Sequence, residues 1–470
     1  MMNKFDNKVQ LLKNRVLREV ARLAWDNALL ENITEIPKII SPGKTPTMRC
    51  CVYKERAILG ERVRLAIGGN RYNKKVIQVI DIACEDCPTG GYEVTSACRG
   101  CLAHRCEEAC PVGAISFDKD QKAYIDKSKC IECGKCAATC PYSAINNYKR
   151  PCETSCKVKA ISMGENKEAR IDYDKCIACG ACVYQCPFGA ITDRSYILDV
   201  IDLIKGSENG KRYRVYALIA PSIASQFRYA ALGQVLQAIR LLGFTDIKEV
   251  AEGADLVAVS EAEELGNSGF LTSSCCPAFV SYIEKFFPAL KEHVSHTLSP
   301  AGTIAAHIKE REPTAKTVFI GPCTAKKTEF QRKEYEGLID SVITFEELQA
   351  LIDSKDLDVP TLAEISIDEA SSFSRRLARS GGLSEAVCRV LLESGAETAP
   401  RTIVCNGIEE CKAALLRASK GVLPFDFIEG MACKGGCING AGALNHHERN
   451  RQRIEDYAEA ASKKTILHEE

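Results

Sequence analysis

"CIACGACVYQCPFGAI", residues 176–191, sets four cysteines at the spacing C-x2-C-x2-C-x3-C followed by proline, and "CIECGKCAATCPYSAI", residues 130–145, does the same. A close triplet lets one loop wrap three corners of an iron-sulfur cubane. The fourth cysteine, carried off on the following helix, ligates the other cluster of a pair. Structural zinc sites instead favour two separated cysteine pairs. This spacing decides the first part of the fold, small electron-carrying modules organised by clusters.

Upstream, "CRGCLAHRCEEACPVGAI" (98–115) is a variant with Cys98, Cys101, Cys106 and Cys110, and "CETSCKVKAI" (152–161) is a half motif. All four segments share Cys-x3-Cys, a turn and Ala-Ile, the mark of a repeated supersecondary unit. Nineteen residues separate Cys110 from Cys130, and nineteen separate Cys156 from Cys176. Two ferredoxin-like modules in tandem follow. Exchanging fourth ligands within each module gives Cys98, Cys101, Cys106 with Cys140; Cys130, Cys133, Cys136 with Cys110; and Cys176, Cys179, Cys182 with Cys156. Cys84 and Cys87 have the spacing to complete a fourth site with Cys152 and Cys186. The alternative for that site is a degenerate half repeat without a cluster, since spacing alone does not fix connectivity. The region resembles the multi-cluster ferredoxin subunits of membrane oxidoreductases, which implies up to four accessory 4Fe-4S clusters acting as wiring.

The chain has 470 residues, 62 basic and 62 acidic side chains and 26 cysteines. The charge balance gives no reason to expect nucleic acid or an anionic membrane as partner. The N-terminus is charged, without a signal-peptide core, and no apolar run is long enough to span a bilayer. The expected location is cytoplasmic, where thiols stay reduced and serve as metal ligands. Val9, Leu12, Val16, Val20 and Leu23 predict an amphipathic helix over residues 8–30. The expected domains are 1–80, a helical region of unassigned role; 81–195, the cluster modules; and 196–470, a catalytic domain. After residue 195, "YRVYALIAP", "KTVFIGPC" and "PFDFIEGMAC" read as buried strands running into loops, with helical segments such as "AALGQVLQAIRLLGF" between them. The tail from residue 445 reads as a solvated helix. The fold class is α+β multidomain, ferredoxin-like 4Fe-4S modules followed by an α/β catalytic domain.

Four cysteines on three distant loops, Cys276, Cys323, Cys433 and Cys437, can enclose a buried cubane, and soft thiolates suit it. They lie in "TSSCCPAFV" (272–280), "GPCTAKKTEF" (321–330) and "EGMACKGGCINGAG" (429–442). Together these segments resemble the three signatures of FeFe hydrogenases. The resemblance implies an H-cluster, in which a 4Fe-4S cubane on these four cysteines is bridged through Cys437 to a di-iron unit with carbonyl, cyanide and dithiolate ligands. It further implies cyanide donors at Lys326 and Ser222, an apolar contact from Met431, and a proton path through Cys275, Glu261, Glu264 and Ser295. For the two glutamates the alternative is an exposed acidic helix start. Implied partners are a ferredoxin as electron donor or acceptor, hydrogen and protons as substrates, and the di-iron maturation machinery of anaerobic hydrogenases.

The sequence departs from the family pattern at Gly321, where methionine is usual, at Lys434, where proline is usual, at Ala301 and Gly302, where glutamines are expected, and at Ala278, where glycine is frequent. Rival readings are a hydrogen sensor, which generally adds an output domain, and a cytosolic iron-sulfur assembly relative, which usually lacks the cysteine that Cys275 supplies. Cys388, Cys405 and Cys411 read as buried free thiols. The doublet Cys50–Cys51 has no role from sequence.

Overall fold

The computed structural model describes residues 4–70, 72–88, 90–422 and 424–467. The outermost three residues of the first and third expected domains lie outside that set.

Residues 90–193 form the repeated modules. Each complete repeat is a cysteine loop, a one-turn helix and a short strand, with antiparallel pairs Ile115–Phe117 with Ala123–Ile125 and Ile161–Met163 with Ala169–Ile171. The Ala-Ile element explains itself in the packing. The N–H of the alanine donates to the sulfur four residues earlier in every repeat: Ala114 to Cys110 at 3.2 Å, Ala144 to Cys140 at 3.4 Å, Ala160 to Cys156 at 3.1 Å and Ala190 to Cys186 at 3.2 Å. The following isoleucines are buried or half-buried beneath the cysteines.

Beyond residue 195, two parallel sheets carry the catalytic fold. One orders its strands Asp246–Glu249, Val215–Ile219, Lys316–Gly321 and Ser341–Thr344. The other orders Leu271–Thr272, Phe427–Met431 and Thr402–Asn406. Most of these strands are apolar and buried throughout, as parallel strands covered by helices on both faces must be. Functional loops leave the carboxyl ends of the strands, where such sheets place ligands. Cys276 follows Leu271–Thr272, Cys323 follows Lys316–Gly321, Cys433 and Cys437 follow Phe427–Met431, and Ser222 follows Val215–Ile219.

The N-terminal helix is Lys8–Trp25, opened by Asn7, whose side chain accepts from Gln10 N. It ends earlier than its apolar pattern suggested because Asn27 takes a left-handed conformation (φ 58°). Its apolar stripe, Val16, Leu17, Val20 and Ala21, belongs to the same core as Ile201, Leu218, Ile320 and Leu351. The stretch expected as a separate N-terminal region thus packs as a layer of the catalytic domain, against helix Phe345–Ser354. Lys13 pins this contact through ion pairs to Asp193 and to Glu346 at 2.6 Å. The tail forms helix Asn450–Glu459, with Ile454 and Ala458 buried, so it is docked rather than fully solvated. No described helix is long and apolar enough to cross a membrane.

Candidate functional site

Cysteine sulfurs close together raise one another's pKa, so mutual repulsion maps the groups. Cys106 senses Cys101 and Cys140; Cys136 senses Cys130 and Cys110; Cys182 senses Cys179, Cys176 and Cys156. Cys84, Cys87 and Cys152 each sense Cys186. The structure therefore brings Cys84 and Cys87 beside the half motif. Cys152 also acts on Cys182, which joins the two groups of the second module. Among the described residues no three His, Cys, Asp or Glu side chains close tightly enough for a single ion.

Cys276, Cys323, Cys433 and Cys437 form a further mutually repelling group. They line a cavity with Ser222, Cys275, Lys326 and Met431, otherwise mostly apolar. Cys179 reaches the same cavity and senses Cys276, so the Cys176, Cys179 and Cys182 group abuts this one. The junction is tight. Gly180 has φ +74°, and a Cβ there would meet Ala441 Cβ at 2.4 Å and Thr324 Oγ1 at 2.5 Å. Thr324 Oγ1 donates to Ala178 O at 2.8 Å, tying the relay loop to the Cys323 loop.

An H-cluster asks for four thiolates, an apolar chamber and buried donors for anionic ligands, and the residues present fit. Ser222 Oγ lies in the cavity lining, fully buried and without a hydrogen-bond partner, a hydroxyl in want of an acceptor. Met431 is buried in the same lining. Lys326 also reaches it, but two of its three ammonium protons are engaged, by Ser299 Oγ at 2.6 Å and Glu329 Oε2 at 2.7 Å. One proton remains for the chamber.

The acidic residues do not lie on a helix start. They sit in the second half of helix Val250–Ser268, and Glu261 is wholly buried. Glu261 Oε1 accepts from Ser274 N at 3.2 Å and Ser274 Oγ at 3.3 Å, whereas its Oε2 has no partner. Ser274 precedes Cys275, which is buried and senses the charge of Glu261. On the outer side, Ser295 Oγ donates to Glu264 Oε2 at 3.0 Å and also stands close enough to Glu261 to draw its pKa down somewhat. Glu264 meets the exposed His296 ring at 2.5 Å. A run of polar groups thus leads from His296 through Glu264, Ser295 and Glu261 to Ser274, whose hydroxyl also donates to Thr297 O at 2.8 Å and which stands next in sequence to Cys275 at the cavity. Ser274, His296 and Glu429, whose charge also reaches Cys275, were not singled out from sequence. The serine stands beside the cysteine doublet, and the histidine directly follows Ser295.

Burial pushes the Cys275 thiol well above the usual thiol range, so it holds its proton at neutral pH rather than titrating near it. Burial also pushes Glu261 up from 4.5 to about 8. Folding then takes up a proton between those values. The group's contribution to stability is complete below pH about 4.5 and is lost as pH rises toward about 8, by at most about 1.4 kcal/mol per pH unit. Glu261→Gln cannot titrate, so its stability relative to the parent is expected to improve from pH about 5 to about 8 in denaturant titrations. A difference independent of pH would show that the carboxyl ionises normally.

The departures from pattern are packed as partners. A Cβ at Gly321 would meet the Phe319 ring at 2.6 Å, and one at Gly302 would meet Tyr335 Cε1 at 2.5 Å. Aromatic rings take the room that side chains at those positions would need. Lys434 is exposed and pairs with Glu409 at 3.5 Å. Cys405 and Cys411 are buried, and Cys388 half-buried.

Fold and site together define a protein of ferredoxin-like modules that run into a buried four-cysteine chamber. Residues 213–441 match the family described as iron only hydrogenase large subunit, C-terminal domain; residues 97–144 match a 4Fe-4S dicluster domain and 169–192 a 4Fe-4S binding domain. Residues 213–441 are thus similar to the C-terminal domain of the iron-only hydrogenase large subunit, with ferredoxin-like 4Fe-4S domains N-terminal to them. It is 28% identical to iron hydrogenase 1 of Clostridium pasteurianum over 313 residues, 54% of each chain. It is 26% identical to the cytosolic Fe-S cluster assembly factor NAR1 of Kluyveromyces lactis over 265 residues, 42% of this chain and 56% of that one. The chain spans about half the length of these curated relatives. A solved FeFe-hydrogenase from Chlamydomonas reinhardtii aligns with a TM-score of 0.44 and 20% identity, covering 57% of this chain and 89% of that one.

Proposed function

We propose that the chain is an FeFe hydrogenase, catalysing proton reduction to hydrogen and its reverse at a buried H-cluster, with electrons passing through accessory 4Fe-4S clusters to or from a ferredoxin. The observation that carries this reading is the run of polar groups leading toward Cys275. A protein that only holds clusters has no use for a buried carboxyl and thiol leading from solvent to its innermost cavity.

Cys276, Cys323, Cys433 and Cys437 would hold the cubane, and Ser222 and Lys326 would donate to cyanide. When bound, the H-cluster supplies the redox-active iron at which protons and electrons combine. The protein's own part is to deliver and retain protons. Glu264 exchanges them with His296 and solvent at the surface, and the Ser295 hydroxyl relays between the two carboxylates. Glu261, protonated at neutral pH, carries the proton inward, Ser274 bridges it, and Cys275 Sγ holds it at the cavity. General acid groups placed this way contribute when they lie within hydrogen-bond reach in sequence. Met431 and the apolar lining keep bulk water out, and Cys179 stands where an electron enters the cavity from the second module.

Infrared spectroscopy after maturation with the di-iron cofactor tests the reading, with carbonyl and cyanide bands expected. Their absence would favour a non-catalytic iron-sulfur relative, a reading supported by the similar identity to the assembly factor. Hydrogen release from reduced ferredoxin, measured in the gas phase, separates turnover from hydrogen sensing.

A further inference from the structure

Cys50 and Cys51 belong to none of the cysteine groups, yet they stand against one of them. Cys51 caps helix Val52–Ala66, its Sγ accepting from Lys54 N at 3.4 Å, and the exposed Cys50 thiol lies beside it. On one side Arg49 pairs with Asp86 and donates to Ala83 O at 3.3 Å; on the other Lys54 pairs with Glu85. Glu85 and Asp86 are the two residues between Cys84 and Cys87. Arg49 also lies over the ring of Phe188, two residues past Cys186, at 5.1 Å. The thiol doublet is clamped from both flanks onto the loops that bring Cys84, Cys87 and Cys186 together.

We propose that Cys50 and Cys51 are a redox-active dithiol that takes electrons from the Cys84, Cys87, Cys152 and Cys186 cluster and passes them to an external disulfide. This rests on reading that quartet as a 4Fe-4S site and, for hydrogen as the electron source, on the hydrogenase reading above. Adjacent Cα atoms are about 3.8 Å apart, below the roughly 4.4–6.8 Å that relaxed disulfides span. A bond between these two sulfurs is therefore strained and of the more oxidising, labile kind, readily opened by the cluster, so the dithiol passes its electrons only to an external disulfide that is itself more easily reduced. The Lys54 N–H bond holds the Cys51 thiol below its ordinary value, which favours the thiolate that closes the bond again by attack on Cys50.

The chemistry balances. Two electrons from the cluster, delivered singly, and two protons from solvent open the Cys50–Cys51 bond to two thiols. The exposed Cys50 thiolate then attacks one sulfur of a substrate disulfide, expelling the first product thiol and forming a mixed disulfide. Cys51 attacks Cys50 Sγ, expels the second thiol and restores the intramolecular bond. With hydrogen as donor, one molecule yields the two electrons and two protons consumed.

The holoprotein, treated anaerobically with dithiodipyridine, is expected to lose two hydrogens on the peptide carrying both cysteines and to become resistant to iodoacetamide there. Reduced methyl viologen, a donor without thiols, should restore both alkylation sites and sustain dithiodipyridine reduction at least about ten-fold faster than in Cys50→Ser or Cys152→Ser. Should Cys152→Ser fail to fold, Cys87→Ser removes the same quartet. Failure of the bond to form, a bond still closed once electron paramagnetic resonance shows reduced clusters, or equal opening in the quartet variants would overturn the proposal. Opening by viologen but not by hydrogen would sink the hydrogenase reading and leave this one standing.

Discussion

Cys275→Ala is expected to lower hydrogen turnover by about 10²–10⁴-fold, the usual contribution of a positioned acid-base group, while the carbonyl and cyanide bands persist. The thiol lies at the cavity beside the run of polar groups from His296, next in sequence to Ser274 and within the field of Glu261. Alanine removes its ionisable hydrogen and leaves a small apolar gap in a lining that is already apolar. Cys276, which would hold the cluster, is untouched by the substitution, so loading should survive. Glu261→Gln should slow turnover as well, because an amide cannot pass a proton on. Unchanged turnover in Cys275→Ala, measured by gas chromatography with reduced viologen, would remove this cysteine from the route.

Lys327→Met is expected to cost about 3–5 kcal/mol of stability, the penalty for leaving buried charges unpaired. Lys327 is entirely buried and donates to Asp193 at 2.7 Å and to the Arg194 carbonyl at 2.9 Å, with Glu347 paired at 2.7 Å. Burial alone would raise the Asp193 pKa, but Lys13 and Lys327 outweigh it and hold the carboxyl far below the usual range. The stability Asp193 contributes is therefore present above its unfolded pKa and lost only in strong acid. Glu347 has further duties, accepting from Ser195 Oγ at 2.6 Å and completing the capping box of helix Phe345–Ser354. Denaturant titration checks the cost, and Lys327→Met with Glu347→Gln should recover part of it by removing one stranded charge. A cost below about 1 kcal/mol would mean that water reaches the network.

The cysteine quartets were legible because one short loop supplies most ligands of a cluster, so spacing alone encodes geometry. The approach of Cys84 and Cys87 to Cys186 depends on tertiary folding, which no local spacing encodes. The catalytic strands were legible as apolar runs, and the cysteines at their ends followed. What the sequence hid is pairwise. Nothing near Gly321 announces that Phe319 fills its space, and nothing near Gly302 announces Tyr335. Nor could a charged N-terminal stretch reveal that Lys13 would be paired at Asp193 and Glu346, since each partner lies far along the chain. Glu261 entered the proton path through the resemblance alone, with an exposed acidic helix start as the alternative; its burial comes from the loops of Ser274 and Ser295 folding over the helix.

The contact at Gly180 has a practical corollary for anyone trimming this protein. Ala441 and Thr324 press on that glycine, and Cys179 beside it faces the catalytic cavity. The second cysteine module is thus one wall of the cavity and, on the proposed function, its electrical lead as well. A catalytic half cut free at residue 195 would lose that wall, exposing its four thiols and whatever they hold to solvent and oxygen, so wire and shield are inherited or lost as one piece.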